Sequence, residues 1–110
     1  MLLLLLGACE KEILQPQDVM DRIEKSVTLP DGAAPVSAYD RYYAFDKPGE
    51  VKAVYLRAPN QSAGKRSWLV DPAKLPIGFD GDCRLVTVLY DVPAKRFISV
   101  TCYDEAKDLS

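Results

Sequence analysis

The chain has 110 residues, the length of a single domain. Hydrophobic residues make up 48% of it, enough for one core. A domain this small buries only about 60 to 65% of its unfolded surface, so a covalent cross-link would help it. With 14 basic and 16 acidic residues the net charge is -2, and the absence of a basic cluster excludes nucleic acid as a partner. The absence of histidine excludes Ser-His-Asp and Cys-His nucleophiles.

The first nine residues form an apolar run that ends in a cysteine. Leu6-Gly7-Ala8-Cys9 resembles the lipobox of bacterial lipoproteins, in which an aliphatic residue and two small ones precede the acylated cysteine. The resemblance implies cleavage before Cys9 and attachment of fatty acyl chains, such as palmitate, to it. It also implies a location in the bacterial cell envelope, facing the periplasm. Several acyl chains would anchor the protein stably, whereas one alone binds only marginally.

This resemblance divides the chain into a signal peptide (1–8), a lipid-anchored tether (9–15), one domain (16–106) and a C-terminal tail (107–110). The signal is shorter than the family's and contains no Lys or Arg, so we expect the natural initiator to lie upstream. Glu10 after the cysteine resembles lipoproteins sorted to the outer membrane. The alternative is a cytosolic protein with an apolar N-terminus and an incidental cysteine.

The first predicted element of the domain is a helix over Pro16–Ser26. Proline favours the first helical position, and Val19, Met20, Ile23 and Val27 recur at the spacing of one helical face. The pattern predicts that this face packs on a sheet.

Strands are predicted where β-branched and aromatic residues concentrate. They span Tyr39–Asp46, Val51–Ala58, a short Ser67–Val70, Cys83–Asp91 and Arg96–Tyr103. Pro48-Gly49 fits a type II turn within the first hairpin, and Val92–Lys95 fits a turn within the last. The order predicts an α+β fold, with one N-terminal helix packed on a four- to five-stranded antiparallel meander sheet.

Aromatic residues are concentrated in the first predicted strand. Closing the Pro48-Gly49 turn pairs Tyr42 with Tyr55. The opposite face then carries four candidate binding residues: Tyr39, Arg41, Tyr43 and Phe45. If that face is exposed, its Tyr and Arg side chains are of the types that dominate binding hot spots. The alternative is that aromatic pairs across the strands stabilise both faces.

A second candidate is the basic sequence Gly64-Lys65-Arg66-Ser67 ahead of Trp68, so Lys65, Arg66 and Trp68 join the candidate binding residues. A flexible basic loop of this kind could insert into an enzyme as an inhibitor. The alternative is a solvated turn.

Acylation of Cys9 would leave Cys83 and Cys102 as a disulfide pair in an oxidising compartment. Pairing the last two strands sets Leu85 opposite Cys102 and leaves Cys83 diagonal to it. A bulge or a register shift of one or two residues is therefore needed for the bond. The alternatives are a buried reduced pair or a metal site, and two thiols without histidine make a poor zinc site.

Motifs for catalysis are missing from the sequence, so we expect neither an enzyme nor a cofactor or metal. Asp80-Gly81-Asp82 resembles a fragment of a calcium loop but is typical of a plain turn. We expect a non-catalytic, membrane-anchored module that binds an envelope protein or glycan. The alternatives are an inhibitor or immunity-type lipoprotein using Gly64–Arg66, and an accessory subunit of an envelope complex.

Overall fold

The computed structural model describes residues 15–57, 64–77 and 83–102. The proposed lipidation site at Cys9, the Asp80-Gly81-Asp82 sequence and the tail 107–110 lie outside these residues. Helix α1 spans Pro16–Ser26, the predicted bounds. Within the three described ranges, no helix is long and apolar enough to cross a membrane.

The sequence explains how α1 begins and which face it buries. Pro16 takes the first helical position, where a missing N–H leaves no hydrogen bond unmade. Asp18 accepts a hydrogen bond at 3.3 Å from the backbone amide of the residue before the helix. Val19, Met20 and Ile23 are buried, so the predicted apolar face does pack against the sheet.

The strands are β1 Asp40–Lys47, β2 Glu50–Leu56, β3 Arg66–Trp68, β4 Leu85–Asp91 and β5 Arg96–Cys102. They form one sheet in the order β3-β1-β2-β4-β5. The predicted α+β class is confirmed. The predicted antiparallel meander was wrong, because β3 pairs in parallel with β1 and makes the sheet mixed.

The parallel pairing of β3 with β1 explains why a chain segment packs on the sheet face opposite α1. Since β3 and β4 run in the same direction, the chain between them must return along the sheet. The described part of this connection includes Leu75, which packs with Ala44 and Val54 in a small second core. The main core lies on the other face, under α1.

The first hairpin turns at Pro48-Gly49 as predicted, and the glycine has the φ of 77° that a type II turn requires. A bulge near the end of β1 adds one residue and shifts the pairing. Tyr55 therefore lies opposite Arg41, and its predicted pairing with Tyr42 was wrong by one residue. Because neighbouring residues of a strand point to opposite faces, this shift places Tyr55 on the same face as Tyr43.

The last hairpin brings two cysteines together. A bulge in β5 is present, but it pairs Cys102 with Val86 rather than with Leu85, so it moves the register away from Cys83 and is not the shift that the sequence predicted. Cys83 lies in a turn before β4, with its Cα atom 5.0 Å from that of Cys102. The two cysteines are at disulfide-bonding distance, as predicted.

Candidate functional site

Tyr39, which directly precedes β1, and Tyr43 within β1 lie under the helix. Tyr39 and Tyr43 are both 0% exposed and belong to the main core together with Tyr55. The rings of Tyr43 and Tyr55 meet edge to face, with their centroids 5.9 Å apart. Neither Tyr39 nor Tyr43 has surface to offer a partner, so core packing, the alternative that the sequence left open, describes both residues.

A group of polar side chains joins α1 to this face of the sheet, and we call it the Glu24 cluster. Its members are Asp21 and Glu24 on the helix and Arg41, Tyr43, Tyr55 and Arg66 on the strands.

Glu24 lies at the centre of the cluster. The hydroxyl of Tyr43 donates a hydrogen bond to its carboxylate, and the hydroxyl oxygen of Tyr55 lies 2.9 Å from that of Tyr43. The other carboxylate oxygen of Glu24 lies 3.4 Å from Nη1 of Arg41 and 3.6 Å from Nη1 of Arg66. One helix carboxylate is thus bound directly by two strands, β1 and β3, while Tyr55 of β2 is joined to it through the Tyr43 hydroxyl.

Burial sets the protonation of the cluster. It raises the pKa of Tyr43 far above its ordinary value, and the neighbouring Tyr55 adds to the rise. It also raises the pKa of Tyr55 to about 12, against a partly offsetting hydrogen bond from Tyr43. The hydrogen bond to Asp21 raises the pKa of Arg66. At neutral pH both phenols are therefore protonated, and they form a neutral, hydrogen-bonded pair in which Tyr43 donates to Glu24.

The Glu24 cluster has the properties of a structural contact between the helix and the sheet. Two guanidinium groups face two carboxylates, so its formal charge is zero, and the side chains are bonded to each other. Within the part of the chain that the structure describes, no group of three or more acidic or cysteine side chains is arranged to hold a metal ion. The arrangement fixes the position of α1 on the sheet, since buried polar groups tolerate few alternative pairings.

A partly open surface lies beside the cluster, and we call it the aromatic ledge. It consists of Phe45, Trp68 and Arg66. Phe45 is 46% exposed, and its ring meets that of Trp68 edge to face at a centroid distance of 5.3 Å. Trp68 is half-buried and lies nearly parallel to Tyr43. Nη1 of Arg66 lies 2.6 Å from Oδ1 of Asp21, and its side chain keeps 25% exposure.

The described part of the basic sequence is bound to the sheet. The amide of Gly64 donates to the Tyr39 carbonyl at 3.2 Å, and Nη2 of Arg41 donates to the Gly64 carbonyl at 2.9 Å. The amide of Lys65 donates to the buried carboxylate of Asp40, while its side chain is exposed. Gly64 and Lys65 thus extend the edge at β3 and do not project from it.

Of the predicted binding residues, the structure brings Arg41 and Arg66 together across β1 and β3, and Phe45 and Trp68 together at the ledge. It separates Phe45 and Trp68 from Tyr39, which directly precedes β1 at the end of the strand that carries Arg41. Sequence reasoning missed Asp21 and Glu24. Their signal was present, because two acids three residues apart on a helix share one side of it.

No protein-family model matches the chain, and no curated protein or solved structure is significantly similar to it. The fold and the site therefore define only a class, a small α+β domain with one helix on a five-stranded mixed sheet.

Proposed function

We propose that the protein is a small lipoprotein, anchored through Cys9 to a bacterial envelope membrane and facing the periplasm, whose domain binds an envelope protein without catalysing a reaction. The lipobox-like sequence Leu6-Gly7-Ala8-Cys9 supports the anchor. The pairing of Cys83 with Cys102 supports an oxidising compartment, where disulfides persist.

The aromatic ledge is the observation that carries the binding function. Aromatic and Arg side chains are enriched at binding hot spots, above all where they are partly desolvated and surrounded by polar groups. Trp68 and Arg66 are already half-buried and held by neighbours, so binding would order few side chains. Asp21, which is bonded to Arg66, supplies an exposed acidic group at the ledge, and Lys65, next to Arg66 in the chain, is also exposed.

A protein suits this surface better than a glycan does. Phe45 meets Trp68 at an interplanar angle of 77°, so the two rings form a notch rather than a flat platform for a sugar ring. An inserted apolar side chain fits such a notch. Cell-wall glycan remains the other outcome of the test.

The anchor and the binding function need separate tests. Intact-mass spectrometry of protein from its native membrane, with the upstream reading frame restored, should give residues 9–110 plus acyl chains, with two thiols that appear only on reduction. An unacylated chain with three free thiols would refute the anchor and the disulfide.

The binding test compares two exposed hydrophobic residues. Phe45 is on the ledge, and Ile98, 51% exposed, is on β5 at the other edge of the sheet. A photoreactive residue in place of Lys65 should form a discrete protein adduct in the native envelope, and Phe45→Ala should remove most of that adduct. Ile98→Ala should leave it intact. The same crosslinker in place of Lys95 should not form it.

An adduct that survives Phe45→Ala, or that Ile98→Ala weakens equally, would contradict binding at the ledge. Crosslinks to glycan instead of protein, lost in the Phe45 variant, would replace the protein partner with cell-wall material.

A further inference from the structure

The conformation of Cys83 needs support from its surroundings. Its φ is 54°, in the left-handed region that residues other than glycine seldom adopt. The strand register alone would carry Cys83 away from its partner, because Cys102 lies opposite Val86, three residues further along β4. The left-handed turn is what brings Cys83 back toward the edge strand.

Tyr39 braces this turn from inside the core. Its hydroxyl donates a hydrogen bond of 2.7 Å to the Cys83 carbonyl and accepts one of 3.0 Å from the amide of Ala34. The ring is 0% exposed and lies between Tyr55, at a centroid distance of 6.2 Å, and the guanidinium carbon of Arg57, 5.9 Å from its centroid. The hydroxyl is therefore held in place by its own neighbours.

None of these contacts uses a sulfur atom, so the brace does not require the disulfide. We propose that Tyr39 is a positioning residue for disulfide formation, which presets the Cys83 turn so that its thiol meets Cys102 before the bond exists. The oxidation needs a disulfide-bearing oxidant. The thiols of Cys83 and Cys102 give up two protons and two electrons, their sulfurs bond, and the oxidant leaves as two thiols.

The preset turn also directs which cysteines pair. The full chain has three cysteines, and until Cys9 is acylated its thiol can compete for either of the others. A brace that keeps Cys83 beside Cys102 raises their effective concentration for each other over that of Cys9, which is far away in the sequence.

The first test measures the pairing equilibrium in the full chain with Cys9→Ser, so that only one disulfide can form. The protein is equilibrated with reduced and oxidised glutathione, and the oxidised fraction is read by alkylation and mass spectrometry. Tyr39→Phe should lower the equilibrium constant about five- to tenfold, the effect of one buried hydrogen bond.

Tyr43→Phe is the matched control. It also removes a fully buried tyrosine hydroxyl on the same sheet face, but one that bonds Glu24 and Tyr55 rather than Cys83. It should change the constant less than about twofold. Equal falls in both variants, or no fall with Tyr39→Phe, would overturn the proposal. With Cys9 present, Tyr39→Phe should also increase the share of disulfides that contain Cys9.

A second measurement needs no variant of Tyr39, and it decides the question even if Tyr39→Phe fails to fold. The amide of Ala34 donates to the tyrosine hydroxyl, so its hydrogen exchange reports the brace. In the unsubstituted chain this amide should remain protected after reduction of the disulfide. Loss of that protection, while amides of β1 and β2 stay protected, would show that the bond creates the turn.

Discussion

The two faces of the sheet are closed in different ways. The face under α1 buries four tyrosines, and two of their hydroxyl groups join a helix carboxylate in the Glu24 cluster. Among the residues that the structure describes, the opposite face buries Ala44, Val54 and Leu75, and Leu75 comes from the segment that connects β3 with β4. The helix side thus combines the larger apolar core with side-chain bonds between helix and strands, so we expect stability to be concentrated there.

The largest expected effect is on the free energy of unfolding, when one core aliphatic residue from each face is truncated to alanine. Ile23→Ala, at a fully buried helix position, should lower the free energy of unfolding by about 4 kcal/mol, near the upper part of the range for such truncations. Leu75→Ala, 7% exposed and covered by one segment, should cost about 2 kcal/mol because its site can collapse. Urea unfolding of both variants measures this. Equal losses would show that the second face is closed as firmly as the first.

The loss of folding stability at alkaline pH should depend on the tyrosines of the helix side. The pKa of Tyr55 is raised from its ordinary value near 10 to about 12, and that of Tyr43 is raised further. Between these pH values the unfolded chain loses phenol protons that the folded chain keeps, so stability falls as pH rises. The stability contribution is complete below pH about 10. Each retained proton corresponds to about 1.4 kcal/mol per pH unit.

We therefore expect Tyr55 alone to contribute a loss of roughly 3 kcal/mol between pH about 10 and about 12, with Tyr43 adding to it, measured by urea unfolding at each pH. Tyr55→Phe should reduce this slope. Val54→Ala, on the opposite face, should lower stability by a similar amount at every pH, since it removes no titrating group. A slope that Tyr55→Phe leaves unchanged would place the alkaline sensitivity outside the cluster.

The local elements could be predicted from the sequence, whereas the registers could not. Pro16 and the stripe through Val19 and Ile23 predict the helix, because capping and helical period are local properties. Pro48-Gly49 likewise predicts its turn. The two bulges leave no such signal, since the strands read equally well with one residue more or less, yet each bulge changes which side chains share a face.

Because the registers could not be predicted, the Glu24 cluster and the aromatic ledge could not be predicted either. An alternating aromatic strand is compatible with a buried or an exposed tyrosine face, and only the register shows that Tyr43 meets Tyr55 below the helix. The parallel strand β3 is three residues long, too short for its direction to be predicted. The ledge therefore depends on Phe45 and Trp68 becoming neighbours through a strand order that the sequence alone does not specify.

The smallest expected effect is on the charged residues of the Glu24 cluster, and it tests whether their contribution to stability depends on burial. Glu24→Gln keeps an acceptor for Tyr43 but removes the charge between Arg41 and Arg66. It should cost about 2 kcal/mol, since Arg41 loses the charge of Glu24 and Arg66 is left with Asp21. Asp21→Asn makes the same chemical change at a side chain that is 58% exposed and should cost less than about 0.5 kcal/mol.

Urea unfolding at low and high salt separates the two positions. The Asp21 effect should vanish at high salt, whereas the Glu24 effect should persist, because salt screens exposed pairs more than buried ones. If both effects are small and both disappear with salt, the cluster is an ordinary surface ion-pair network. The helix side would then be held mainly by its apolar packing.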